Sequence, residues 1–340
     1  MRLVCAGAFA LGMMLAAGQA TAFDCAQAKS RSEKALCADP AAKASDDAMS
    51  AAFAALKPQL DAVQAKALLT NQRAWLKSRD SRCTGQGADL KAAPSCLKDE
   101  NESRVAVLTA KPAAGPGVPG RLIPVFIARS GAKKAYQVDW TLYRFQPAAS
   151  AAEIAFNKAV DTMMAEAPTA CDEPPGGATC SSDRTASIAF ASPTLLSLEV
   201  SGYEYAGGAH GSQTGTVLNL DLKAGRLLAM DDLLEPARLA DVGTLCRAQL
   251  ASQLKERVTG DGEDPDRDAE TKARFAEELK PIAEASGDMI KDLANWRFGA
   301  SAATIVFVQD SIAAHVYGAF DCTVPYASLR PIAKPGFPLP

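Results

Sequence analysis

The sequence predicts a small disulfide-stapled α-helical domain followed by an α+β domain with an antiparallel sheet and packed helices. Three observations support this. Residues 23–110 place apolar and polar residues at helical spacing. Residues 121–340 alternate as half-buried strands do, with helical stretches between them. Residues 111–120, which separate the two, hold three prolines and three glycines and read as an extended, hinge-like linker. The bulk numbers agree: 340 residues, 48% hydrophobic and 22% charged, suit two folded domains rather than a disordered chain.

The chain opens on an export leader. Arg2 supplies a positive start, Leu3 to Ala17 an apolar run of 15 residues, and Ala20-Thr21-Ala22 a small-x-small cleavage site. That run falls short of the ~18 apolar residues a membrane span needs, and no later run reaches that length. Residues 1–22 are expected to be a signal peptide and the mature chain to begin at Phe23. The expected location is periplasmic or secreted, with no membrane span after cleavage.

An oxidising destination makes the cysteines structural. Setting Cys5 aside leaves Cys25, Cys37, Cys83, Cys96, Cys171, Cys180, Cys246 and Cys322. None forms a CxxC pair, so no cysteine-built zinc site is expected.

The first helix is expected from Asp46 to Val63 and the second from about Gln64 to Arg82. Leu68, Gln72, Trp75, Leu76 and Arg79 share one face of the second. Trp75 and Arg79 read as bundle core and buried polar clamp. A loop over 84–95 precedes a third helix, which starts near Cys96 and carries Leu97, Arg104, Val105 and Leu108. If Cys25 to Cys37 were one straight helix, its ends would lie ~18 Å apart, beyond disulfide reach. A helix hairpin brings Cys37, Cys83 and Cys96 to one end. This favours Cys37–Cys83 with Cys25–Cys96 over the local pairing Cys25–Cys37 with Cys83–Cys96.

In the second domain, strands are expected at 122–128 and 136–145, joined by a basic hairpin loop over 129–135. A helix follows over 151–166. Strands at 195–205 and 216–222 lead into a hairpin turn at 221–226. Helices over 236–256 and 268–295 precede strands at 304–308 and 313–324, which are expected to close the sheet. Cys171 and Cys180 bracket a Pro- and Gly-rich turn and are expected to pair. Cys246 with Cys322 would staple a helix to a late strand.

Composition narrows function. The net charge of −3 shows no basic excess, which sets nucleic-acid binding aside. With only two histidines, His210 and His315, a multi-histidine metal centre and a histidine triad are not expected. No metal, cofactor or catalytic residue is assigned, and the chain reads as a non-enzyme. The strongest binding candidate is His210, flanked by Gly207, Gly208 and Gly211 and preceded by Tyr205; the glycines allow close backbone approach or positive φ. Ser130, Lys133 and Lys134 offer a hydroxyl and ammonium groups on the basic loop. The acidic run 260–268 lacks EF-hand spacing and reads as solvated charge.

Two resemblances follow. Asp24-Cys25, Glu33-Lys34, Cys37-x-Asp39-Pro40, Asp46, Gln72-Arg73-Ala74-Trp75-Leu76-Lys77-x-Arg79-Asp80-x-x-Cys83, Cys96-Leu97 and Arg104 resemble the LprI-type lysozyme-inhibitor domain over residues 23–110. Phe53 and Asn101 stand where that family commonly has tyrosine, and Ala42 and Ser45 where it favours leucine. Tyr205-Ala206-Gly207-Gly208-Ala209-His210-Gly211, Asn219-x-Asp221-Leu222-Lys223-x-Gly225-Arg226 and Val324-Pro325-Tyr326 resemble the extracellular domain of RsiV-type anti-sigma factors, also found in PdaC, over about 122–335. Together these imply an exported binder that recognises and inhibits lysozyme. The Ser130–Tyr136 loop, which is similar to a short inhibitory loop of other periplasmic inhibitors, could then occupy a cleft with two carboxylates. The alternative is an envelope module binding peptidoglycan, which a surface groove near Trp140 or Trp296 would favour. A pocket joining His210 to a nucleophile would favour an enzyme.

Overall fold

The computed structural model describes residues 23–84, 93–130, 136–168, 179–259 and 269–340. Local capping chemistry explains the helical unit. Helix α1 (Arg31–Ala38) opens on a capping box: Ser30 Oγ accepts from the Glu33 amide, and the Glu33 carboxylate accepts from the Ser30 amide. Those bonds, with another from the Lys29 amide, hold Glu33 below the usual carboxylate range. Asp39 then ends α1 and caps α2 (Pro40–Leu56), whose first residue is the proline that cannot continue α1. Asp61 caps α3 (Ala62–Cys83), and α4 (Pro94–Thr109) ends at Ala110 in the left-handed region, φ 50°.

This corrects the expected disulfide pairing. The bonds are local, Cys25–Cys37 and Cys83–Cys96, with Cα separations of 5.6 and 5.5 Å. Cys25 sits in a short 3-10 turn capped by Asp24, and the chain reverses before α1, so no straight helix joins it to Cys37. The clustering of the cysteine-bearing ends holds: Cys83 and Cys96 pack with Leu36, Ala42 and Leu97.

The second unit is α+β. Its main sheet runs in the order β1 (Leu122–Ser130), β2 (Tyr136–Phe145), β3 (Cys180–Ala191), β4 (Leu195–Tyr205), β5 (Ser212–Asp221) and β6 (Arg226–Leu227). All pairs are antiparallel except β2–β3, which is parallel because α5 (Ala151–Ala165) forms the crossover between them. Phe156 anchors α5 in the core, and the Asn157 amide bonds both the N–H and the C=O of Phe145.

The late strands were expected to extend this sheet but form a second one: β7 (Trp296–Phe298), β8 (Ala302–Phe307) and β9 (Phe320–Pro325). Residues 315–317 form a 3-10 turn rather than strand. The separation follows from burial. Trp296, Phe298, Ile305 and Phe307 share a core with residues of α6 (Met230–Leu233), α7 (Leu239–Thr259) and α8 (Ala269–Ile290). Cys246 and Cys322 are bonded and staple α7 to β9, as expected. Cys180 is also disulfide-bonded, and Cys171 lies outside the described residues. Asn219 on β5 donates to the Leu293 and Trp296 carbonyls, and the Phe298 amide donates to Ser197 Oγ, tying the two sheets together.

Amide side chains satisfy the edge strands. Gln64 of α3 bonds both backbone groups of Phe126 on edge strand β1. Gln249 and Gln253 of α7 do the same for Thr323 and Asp321 on edge strand β9. Each supplies the donor and acceptor that a neighbouring strand would otherwise provide.

The 111–120 segment is bonded rather than free. Ala113 and Gly117 donate to Ile188 and Ala191 of β3, and Ala191 donates back to Ala114. Gly115, at φ 90°, lies so close that a Cβ would stand 2.1 Å from the Ala191 oxygen. The helical unit therefore seats on the sheet through Leu56, Leu68, Leu108 and Phe126.

Candidate functional site

A buried polar axis runs through the helical unit into the sheet. Arg79 is 4% exposed. Its Nη1 donates to Asp46 Oδ1 at 3.0 Å and to Asn101 Oδ1 at 2.8 Å, and its Nε donates to Asp80. Asn101 in turn donates to Ser45 Oγ at 3.0 Å. Two of the four departures from the resembled pattern, Asn101 for tyrosine and Ser45 for leucine, are thus hydrogen-bonded to each other. Buried Arg104 donates to Gln72 Oε1 and Asn71 Oδ1, and Asn71 donates to Asp139 and Thr141 of β2. Burial lowers the Arg104 guanidinium to about 10 against the opposing pull of Asp139. Burial also raises Asp139, while its bond from Asn71 pulls the other way. Arg79 matches the expected buried clamp. Trp75 is only half-buried, flanked by the guanidinium carbons of Arg79 and Arg104 at 5.3 and 5.4 Å from its ring.

The glycine–histidine motif forms one turn between β4 and β5. Gly207 and Gly208 have φ of 97° and 100°. Tyr205 Oη donates to the Gly208 carbonyl, and the Gly211 amide donates to Tyr203 Oη. A Cβ on Gly211 would lie 2.4 Å from the Glu204 oxygen, so the position requires glycine. His210 Nδ1 donates to the Gly211 carbonyl at 3.0 Å. Its ring stacks on His315, centroids 3.7 Å apart and planes at 22°. His315 Nδ1 donates to Asp310 Oδ2 at 2.8 Å. The expected group Tyr205, Gly207, Gly208, His210 and Gly211 comes together. Sequence reasoning missed Asp310 and His315; the available signal was that the chain's only other histidine lies near an aspartate.

Ser130 ends β1 opposite Gln137. Lys133, Lys134 and the acidic run 260–268 lie outside the described residues. Trp140 and Trp296 are 1% and 0% exposed, with their indole N–H groups on Ser182 Oγ and the Ile290 carbonyl.

Two cavities flank these features. One of about 380 Å³, lined by Asp183, Glu199, Tyr203, Gly215 and Val308 among others, opens between the two sheets beside the His210 turn. The other, about 970 Å³ and mostly apolar, lies between α2, α4 and β3. Burial, then the nearby charge of Asp139, raises the Asp183 carboxyl to about 6.

The fold is a disulfide-stapled helical unit seated on a mixed-sheet α+β domain. Residues 25–108 match the family described as Lysozyme inhibitor LprI. The α+β part has DUF3298-family structural neighbours. A DUF3298 family protein from Pseudomonas aeruginosa PAO1 is 20% identical with a TM-score of 0.40, covering 64% of this chain and 95% of its own. A second, from Bacteroides fragilis NCTC 9343, is 15% identical with a TM-score of 0.46, covering 64% of this chain and 94% of its own. No curated protein matches.

Proposed function

We propose that this chain is an exported, non-enzymatic binding protein that recognises and inhibits lysozyme. The match of residues 25–108 to the Lysozyme inhibitor LprI family carries this reading. The resemblance of the Tyr205–Gly211 segment to the RsiV-type extracellular domain supports it from the other half of the chain. The disulfides Cys25–Cys37, Cys83–Cys96 and Cys246–Cys322 suit a periplasmic or extracellular location. The acidic chain would draw a basic enzyme by charge, mainly by raising the association rate. A glycan-stacking role for Trp140 or Trp296 finds no support, because both indoles are buried.

The test is cell-wall lysis by chicken-type, goose-type and invertebrate-type lysozymes, with and without the purified chain. Dose-dependent protection against at least one enzyme, weakening as salt rises, is the expected outcome. Absence of both protection and binding for all three would overturn the proposal.

A further inference from the structure

We propose that His210, Asp310 and His315 form a binding site for a divalent transition-metal ion of the zinc class. The chain has two histidines, and the fold brings both together. One rides the β4–β5 turn, and the other follows β8 in the segment that returns to β9. One ligand atom from each histidine and one Asp310 oxygen all lie within 4.8 Å of one another.

The surrounding bonds set the donors. Because the Gly211 carbonyl can only accept, His210 carries its proton on Nδ1, which leaves Nε2 as a free lone pair. A metal-bound histidine commonly donates its other nitrogen to a backbone carbonyl in this way, which fixes tautomer and ring orientation. The His315 backbone is held by a bond from Gln309 Nε2 to its carbonyl, and its Nδ1 proton bridges to Asp310 Oδ2 at 2.8 Å. An ion bound by His315 Nδ1 and Asp310 Oδ2 would displace that bridging proton. Ligand atoms ~2.0–2.2 Å from a tetrahedral ion stand roughly 3.3 Å apart, so the 2.8 Å pair must open by about half an ångström and His210 must swing inward. Asp310 stands at φ 67°, a backbone region that aspartate tolerates better than most residues and that places it against His315.

Two imidazoles and one carboxylate suit zinc, nickel or copper, whereas calcium and magnesium want all-oxygen sets. Three protein ligands leave a fourth position for water or a partner's side chain. This site is independent of the lysozyme proposal.

The test titrates Zn²⁺ into the metal-free full chain, read by calorimetry and by the imidazole NMR signals, of which there are only two sets. We expect one equivalent bound, both histidines shifting together, and affinity falling at least tenfold in His210→Asn, His315→Asn and Asp310→Asn. Ca²⁺ and Mg²⁺ should shift neither ring. Circular dichroism of each variant matching the parent shows that lost binding is not lost folding; if a histidine variant misfolds, the two-ring shift in the parent decides. Shifts confined to one ring, binding unchanged in the His210→Asn chain, or no binding at millimolar Zn²⁺ would overturn the site.

Discussion

Arg79 offers the sharpest test of how the helical unit holds together. Its side chain and that of Asp46 are 5% and 9% exposed, and their charged atoms meet at 3.0 Å. At an effective dielectric of about 20, unit charges ~3 Å apart attract by about 5 kcal/mol. Desolvation takes back much of that, so the pair as a whole adds little to stability. Breaking it is a different matter. In Arg79→Met, Asp46 stays buried without its cation and the Asn101 oxygen loses its donor, for a loss of about 3–5 kcal/mol. Removing the stranded charge as well, in Asp46→Leu with Arg79→Met, should return at least about 2 kcal/mol of that loss. Urea unfolding followed through the three tryptophan indole N–H signals measures this by region, because Trp75 reports the helical unit while Trp140 and Trp296 report the α+β unit. The Trp75 signal should move first in the single variant. A single-variant loss under about 1 kcal/mol, or a double variant as damaged as the single one, would refute the buried-pair reasoning.

Three further outcomes are expected. The raised Asp183 carboxyl holds its proton more tightly folded than unfolded, so its contribution is fully present at acid pH and declines as pH climbs from about 4 to about 6. Part of the residue's surface stays in contact with solvent, which limits the effect to under about 1 kcal/mol; Asp183→Asn should flatten that decline in urea melts run between pH 4 and 7. Gly115→Ala meets both a positive φ and the Ala191 oxygen, so it should lower stability by roughly 2 kcal/mol or more, where an ordinary exposed Gly→Ala change is near neutral. Replacing Cys246 and Cys322 together with alanine opens a 76-residue loop and should remove about 4 kcal/mol, seen as a drop in Tm under non-reducing conditions that vanishes when both proteins are reduced.

Much of this fold was legible because its signals are local. The Gln72 to Cys83 run placed one helix face correctly, and the alternation from Tyr136 to Phe145 located β2, although Thr141 and Tyr143 on its expected solvent face are buried as well, under the helical unit. Cap chemistry that fixes the first helices was also present, in Ser30 with Glu33 and in Asp39-Pro40, and weighing it would have placed the break that makes the Cys25–Cys37 bond local. What was not legible depends on contacts distant in sequence. No pattern announces that Asn71 will reach Asp139, that Gln64 will complete the edge at Phe126, or that His315 will stack on His210. A histidine count set metal chemistry aside, but a count says nothing of whether two rings meet.

The seating of the helical unit changes how binding by two regions must work. A free Pro/Gly tether would let each domain find its own contact, with avidity set by linker length. Here residues 113–117 are bonded along β3, Arg104 and Asn71 run the helical unit's polar axis into Asp139, and Leu68 and Leu108 share a core with Phe126. A partner touching both units must therefore match a preset spacing, and gains affinity because less motion is frozen on binding. Asn71→Leu in the full chain separates the alternatives. It cuts the junction to Asp139 and leaves that half-buried carboxylate without its amide donor, so apparent affinity should fall although Asn71 itself is buried away from any partner. Unchanged affinity with the junction loosened would mean that one unit binds alone.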